Sequence, residues 1–324
     1  MSEAKQLYRD LMNALLPIVP RKVYGDIRRV ANLVWAIVGL CLTQTVRLEA
    51  WGEILESRAQ YAASRVRRFA RFLHNCAIDP KEWYKPLIQS VFEDWPSDMH
   101  LFIALDTTAL TPFVLIRVSL IYRGRAIPLA WLALLRASTK VSFADYQPVL
   151  DQAFALIPEE MVVTLLADRG FVHEQLLQYA RTHHWHIRLR LTGNTIVHLP
   201  QHHPCQVREL CPPLGHASFF HNIALLGTAI RPLHLAVALP EDQPDDPWYV
   251  VSDEPTDLIT LDEYGLRFDI EETFLDEKSG GFQLESSELE TPDAVERLVL
   301  ILSIATIHFT SIGLVLQSHL RAKR

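Results

Sequence analysis

Residues 101–134 read LFIALDTTALTPFVLIRVSLIYRGRAIPLAWLAL, three apolar runs separated by short turns. Leu101–Leu105 ends on Asp106, Phe113–Tyr122 follows, and Ala126–Leu134 comes after the turn Arg123-Gly124-Arg125. Runs rich in β-branched and aromatic residues, bounded by such turns, predict an antiparallel meander. Beyond it, Ala144–Ile157 reads as a helix and Met161–Ala167 as a buried strand ending on Asp168. Val172–Thr182 again reads as helix and Trp185–Leu191 as strand. A meander followed by alternating helix and strand predicts a mixed α/β sheet with flanking helices.

Before the meander, residues 1–97 read as helices only, at Arg28–Thr45, Leu48–Ser57, Ser64–His74 and Lys81–Phe92. In the third, Ser64 is a reasonable N-cap and Val66, Phe69, Ala70 and Leu73 fall on one stripe. Five arginines lie between Arg58 and Arg71, and Arg65, Arg68 and Arg71 are the candidates for phosphate contact. A solvated surface face is the competing reading of the same residues. After the sheet, residues 194–247 are rich in proline and histidine, with short β-like runs at Ala224–Ala229 and Leu233–Leu239. They read as a β-rich insertion, after which Trp248–Ser252 resumes the sheet and two helices close the chain. The expected organisation is an all-α N-terminal domain (1–97), a first catalytic part (98–193), the insertion (194–247) and a second catalytic part (248–324).

Composition narrows the function classes. Of 324 residues, 49% are hydrophobic and 21% charged, which suits a folded protein with ample core. The net charge of −7 lacks the basic footprint usual for nucleic-acid binding, but the acid is concentrated at 241–246 and 253–290. Four scattered cysteines and a polar amphipathic opening, MSEAKQLYRDLMNALLP, predict a reducing, cytoplasmic setting. Leu298–Leu316 is uncharged and close to the ~20 residues of a membrane span. Its five Ser, Thr and His residues fit a helix buried against a sheet instead, so no membrane is expected.

The chemistry lies in the carboxylates. Asp106 and Asp168 each follow five or more apolar residues at a strand end, where an unpaired carboxylate is costly. An Asp there can also simply start a turn, but two such sites in one α/β domain favour a functional pair. Thr260-Leu261-Asp262-Glu263 fits a capping box, and Gly280-Gly281 a helix stop. On one continuous helix between them, Tyr264, Arg267, Glu271 and Lys278 fall within a stripe ~60° wide, whereas Glu272 turns ~100° away. Glu271 is therefore the third carboxylate. Three carboxylates suit two hard divalent cations, Mg²⁺ or Mn²⁺, which activate a nucleophile and relieve charge on the leaving oxygen of a phosphodiester. Arg267 and Lys278 then suit the phosphates, and Tyr264 a hydrogen bond or stack on DNA.

The spacing Tyr264-x2-Arg267-x3-Glu271-x6-Lys278 resembles the signature of the insertion-sequence-four group of bacterial transposases. Asp106-Thr107-Thr108 and Asp168-Arg169-Gly170-Phe171 resemble that group's two aspartate motifs, in the same order. The resemblance covers roughly residues 60–316. It implies an RNase H-like catalytic domain with a β-rich insertion, and a gap between Asp168 and Glu271 longer than that between Asp106 and Asp168. The implied enzyme is a DDE transposase: metal-dependent cleavage at transposon ends frees a 3′-OH, which is then joined to target DNA. The implied partners are double-stranded DNA, as terminal inverted repeats and target, and a second copy of the chain. The implied location is the bacterial cytoplasm, at the nucleoid. Rival readings are an RNase H-like nuclease without strand transfer and a domesticated DNA-binding protein that has lost its chemistry.

Other features are set aside. Cys205-x5-Cys211 misses the spacing of a structural zinc pair. Alternation between surface and core accounts for His183, His184 and His186 around Trp185. Trp248, at a strand start, reads as core.

Overall fold

The computed structural model describes residues 2–322 apart from 57–60, 94, 137, 226–228 and 231, with backbone only at 279–280 and 312–322. Six helices come first: α1 (Glu3–Ile18), α2 (Arg21–Tyr24), α3 (Ile27–Thr43), α4 (Leu48–Ile54), α5 (Ala62–Leu73) and α6 (Pro80–Glu93). Then follow β1 (His100–Leu110), β2 (Phe113–Ile121), β3 (Ala126–Leu135), α7 (Phe143–Phe154), β4 (Val162–Ala167), α8 (Glu174–Thr182) and β5 (His186–Arg190). The insertion contributes β6 (Ile196–His198), β7 (Cys205–Gln206), β8 (Ala217–Leu225) and β9 (Leu233–Ala238). The chain ends with β10 (Trp248–Ser252), α9 (Leu258–Gly265), α10 (Phe268–Leu275) and α11 (Pro292–Ala322).

The ten strands form one mixed sheet in the order β3-β2-β1-β4-β5-β10-β9-β8-β6-β7. β1, β2 and β3 make the expected antiparallel meander, while β4 and β5 run parallel to β1. This is the expected mixed α/β sheet with flanking helices, preceded by an all-α N-terminal region. The insertion continues the same sheet, because β9 pairs antiparallel with β10 and β8 with β9. Its first main strand lies earlier than expected, at Ala217–Leu225, and residues 226–228 of the predicted run lie outside the described residues.

Every residue of β2 is buried, as a central strand covered on both faces requires. α11 and α7 pack on the meander, and α11 also touches α3, α5 and α6. The long apolar run is therefore a core helix: Leu298–Leu302 are at most 1% exposed. By length and composition Pro292–Ser311 is also apolar enough to cross a bilayer, but 61% of that window is buried inside the protein. Arg297 caps the packing by donating from Nε to the Ile78 carbonyl (2.9 Å) and from Nη1 to that of Leu73 (3.0 Å). Between α3 and α4, a Cβ on Gly39 would stand 2.7 Å from Trp51 Cγ, so only glycine lets the two helices approach this closely.

α5 starts at Ala62 behind Tyr61, two residues before the predicted cap Ser64. It buries Phe69, Phe72 and Leu73. Arg68 turns inward, its Nε donating to Asn32 Oδ1 on α3, and Arg65 is half-buried. Arg71 is exposed, and with Ser64, Arg67, Ala70 and His74 it lines an open hollow of about 430 Å³. Arg58 lies outside the described residues.

Candidate active site

Sheet register brings the two aspartates together. Leu105 of β1 pairs with Ala167 of parallel β4, so Asp106 and Asp168 occupy the next step on adjacent strands. The chain runs from β1 to β2 on one side and returns to β4 on the other. Strand ends at such a reversal leave a crevice in open α/β sheets. β1 does not end at Asp106 as predicted but continues to Leu110, so Asp106 sits within the strand, opposite Arg117 of β2.

The third carboxylate arrives from a broken helix. One continuous helix from Thr260 to Gly280 was expected; the structure divides it into α9, α10 and a π-helical turn at Asp276–Gly280. The cap is also earlier, with Asp257 Oδ1 accepting from Thr260 N (3.1 Å). The break falls at Leu266–Arg267, and it turns Arg267 into the site.

Arg267 is 2% exposed and lies between the carboxylates, with Nη1 3.5 Å from Asp106 Oδ2 and Nη2 2.6 Å from Glu271 Oε1. Its Nε donates to Tyr264 Oη (3.1 Å), and its guanidinium lies over the Phe268 ring. Burial works against its charge, but Tyr264, Glu271, Asp168 and Asp106 outweigh this and hold it above the usual arginine range.

Tyr264 has no exposed surface, so the expected contact with DNA is closed to it. It packs against Trp248 and backs Arg267, and burial pushes its phenol up to about 12. Trp248, expected in the core, is partly buried and packs against Tyr264 and Phe268 at the core's edge. Arg267 likewise faces carboxylates rather than solvent. Lys278 departs from the stripe because of the π-helical turn; its Nζ lies 3.7 Å from Glu285 Oε1.

Asp106 is 16% exposed, and its Oδ1 accepts from Thr107 N (2.7 Å). Burial, reinforced by Glu271 and Asp168, pushes its carboxyl up to about 6 against the pull of Arg267 and the Thr107 N–H. Asp168 Oδ1 is buried with no hydrogen-bond partner, and its Oδ2 lies 3.9 Å from Arg169 Nε. Glu271 is half exposed in the first turn of α10. Arg267 thus bridges Asp106 and Glu271, with Asp168 on the next strand carrying an orphaned carboxylate oxygen; the oxygens of the three do not all lie within 4.8 Å of one another. The unpartnered Asp168 oxygen and an all-oxygen donor set suit hard divalent ions.

Sequence reasoning missed the parts that hold this geometry. Arg117 and Glu277 are buried (0% and 2% exposed) and paired through two bonds, at 3.1 and 2.7 Å. Arg117 stands opposite Asp106 and Glu277 follows α10, so the pair ties the glutamate-bearing helix to the aspartate-bearing strand. Arg190 on β5 binds Asp246, which also lies 3.5 Å from Arg169 Nη2. An arginine in an otherwise apolar strand run was the only available signal for either.

The model of the transposase DDE domain family matches residues 144–307, a span that contains Asp168 and Glu271 and begins after Asp106. A solved structure described as a piggyBac transposase synaptic complex with hairpin DNA is similar over 97% of this chain and 77% of that one. The identity is 12% and the TM-score 0.47. No curated protein shows a match to the chain.

Proposed function

The chain belongs to the transposase DDE domain family, a family of metal-dependent enzymes, and on that premise we propose that Asp106, Asp168 and Glu271 are its catalytic, metal-holding triad. The observation that carries this reading is the register pairing of the two aspartates beside an Arg267-bound Glu271. The group is the insertion-sequence-four transposases, whose signature the Tyr264–Lys278 spacing resembles. Two Mg²⁺ or Mn²⁺ ions per site would supply an activated nucleophile and charge relief on the leaving oxygen.

The chain's own residues divide the remaining work. Arg267 offsets the charge of Asp106 and Glu271 and links the two through its guanidinium. Tyr264 fixes the guanidinium by accepting from Nε, and Trp248 and Phe268 wall the ring from water. Lys278, held beside Glu285 after the π-helical turn, stays a candidate phosphate contact outside the cluster around Arg267. On the helical region, Arg71 and Arg67 around the open hollow are better placed for the DNA backbone than Arg68, which Asn32 already holds. Double-stranded DNA, as transposon ends and target, is the substrate; a homodimer pairs two ends; and the setting is the bacterial cytoplasm.

The test is incubation of the protein with Mg²⁺, Mn²⁺ or no metal and DNA carrying the terminal repeats of its own element. End-specific nicking followed by joining is expected. Metal-dependent cleavage with no joining supports a nuclease instead, and activity that survives Asp168→Asn overturns the triad.

A further inference from the structure

About 13 Å along the strands from Asp168, at the opposite end of the sheet, a second cluster gathers around the start of β5. Four steps before Asp168 on β4, Thr164 pairs with His186, the first residue of β5. His186 Nδ1 lies 2.9 Å from Asp253 Oδ2 and 3.6 Å from Glu254 Oε2. Among the described residues, this is the one group in which three His, Cys, Asp or Glu ligand atoms lie within 4.8 Å of one another.

Three observations set it apart from an ordinary ion-pair network. The first is charge. Asp253, Glu254 and Glu263 surround a single guanidinium, Arg188, at 3.9, 2.8 and 2.7 Å. No other lysine or arginine pairs with these carboxylates among the described residues, so two negative charges are left over beside a histidine. The second is spacing. Tetrahedral zinc with N and O ligands at ~2.0–2.2 Å sets its ligand atoms ~3.4 Å apart. The two separations from His186, 2.9 and 3.6 Å, bracket that value, and the two carboxylate oxygens lie within 4.8 Å of each other.

The third is preorganisation with access. Asp253 Oδ1 accepts from Ile187 N (2.8 Å), which aims Oδ2 at His186. Arg188, 6% exposed, fixes Glu254 and also donates to Ser252 Oγ (3.0 Å). The three ligand side chains are 33–41% exposed. His186 and Asp253 also line a hollow of about 420 Å³ shared with Arg181, His184 and Trp185, which gives an ion a path from solvent.

We propose that His186, Asp253 and Glu254 form a second metal site, separate from the triad, that takes a zinc-class divalent ion. An imidazole nitrogen among the donors favours Zn²⁺ over Mg²⁺, which demands oxygen. The ion takes the place of the proton between His186 Nδ1 and Asp253 Oδ2, and water from the hollow completes the coordination. It clamps the start of β5 to the end of β10, the junction at which the insertion-bearing strands join the sheet. Its role is therefore structural.

The test is Zn²⁺ titration of the full chain by calorimetry, with the triad disabled as Asp106→Asn, Asp168→Asn and Glu271→Gln. One Zn²⁺ per chain is expected, with a rise in melting temperature on binding. Adding His186→Gln, or Glu254→Gln at the more exposed ligand, abolishes both signals while circular dichroism stays unchanged. Absence of Zn²⁺ binding in the triad-disabled chain overturns the proposal. So does binding that survives both ligand substitutions, which would assign the ion to the cysteines or to surface groups.

Discussion

At the scale of single residues, the site is defined by what its carboxylates lack. Asp168 has a buried oxygen with no donor, and Asp106 is crowded by burial and two like charges. Asp168→Asn should abolish metal-dependent cleavage while leaving the melting temperature within a few degrees, since the amide can still occupy the strand end. Asp106 also predicts a pH effect in the metal-free chain. Its folded value, about 6, lies above the ~4 of an unfolded aspartate. The folded state therefore keeps a proton that the unfolded chain releases as pH rises through this window, and stability falls from pH 4 to 6 and stays lower above. Denaturant titrations should show Asp106→Asn gaining about 2–3 kcal/mol relative to the parent between pH 4 and pH 7. An unchanged difference across that range would remove Asp106 from the crowded centre.

At the scale of elements, the helix that carries Glu271 shows how an expected contact, Arg267 with Glu271, can follow from an incomplete geometry. A continuous helix put Tyr264, Arg267, Glu271 and Lys278 on one stripe. The first three do meet, because offsets of three and four residues survive a single break. Lys278 does not, because the π-helical turn at Asp276–Gly280 shifts its register. That turn buries Glu277 against Arg117, a pairing between positions 160 residues apart that no local pattern announces. Glu277→Ala should cost about 3–5 kcal/mol by stranding a buried guanidinium, measurable by chemical denaturation. Glu277→Gln should recover part of this and part of the cleavage rate, because one hydrogen bond to Arg117 survives. In the helical region, Gly39→Ala should cost about 1–3 kcal/mol, because the added methyl overlaps Trp51.

At the scale of the molecule, the last helix ties the first ninety residues to the sheet. One buried core extends from Leu11 on α1 to Ala305 on α11, and Arg297 links α11 to the backbone after α5. Arg297→Ala should cost about 3 kcal/mol, having orphaned buried carbonyls. Hydrogen exchange should quicken first in α5 and the segment before α6; uniform loss of protection would argue against a local tie. The sheet itself extends beyond β5 through β10, β9 and β8, so the far edge of β5 is paired rather than exposed.

Local pattern was enough for the meander, the strand runs that precede the two aspartates and the apolar character of the last helix, because apolar runs, turn residues and run length act within a few neighbours. Glu271 and Arg267 were legible for the same reason, lying four residues apart. The step that places Asp106 beside Asp168 was not, since parallel register is set by the packing of whole strands. Nor were the burial of Tyr264, the Arg117–Glu277 tie or the meeting of His186 with Asp253 and Glu254. Those depend on charges brought together from distant positions, and only the folded sheet decides which of them share a low-dielectric interior.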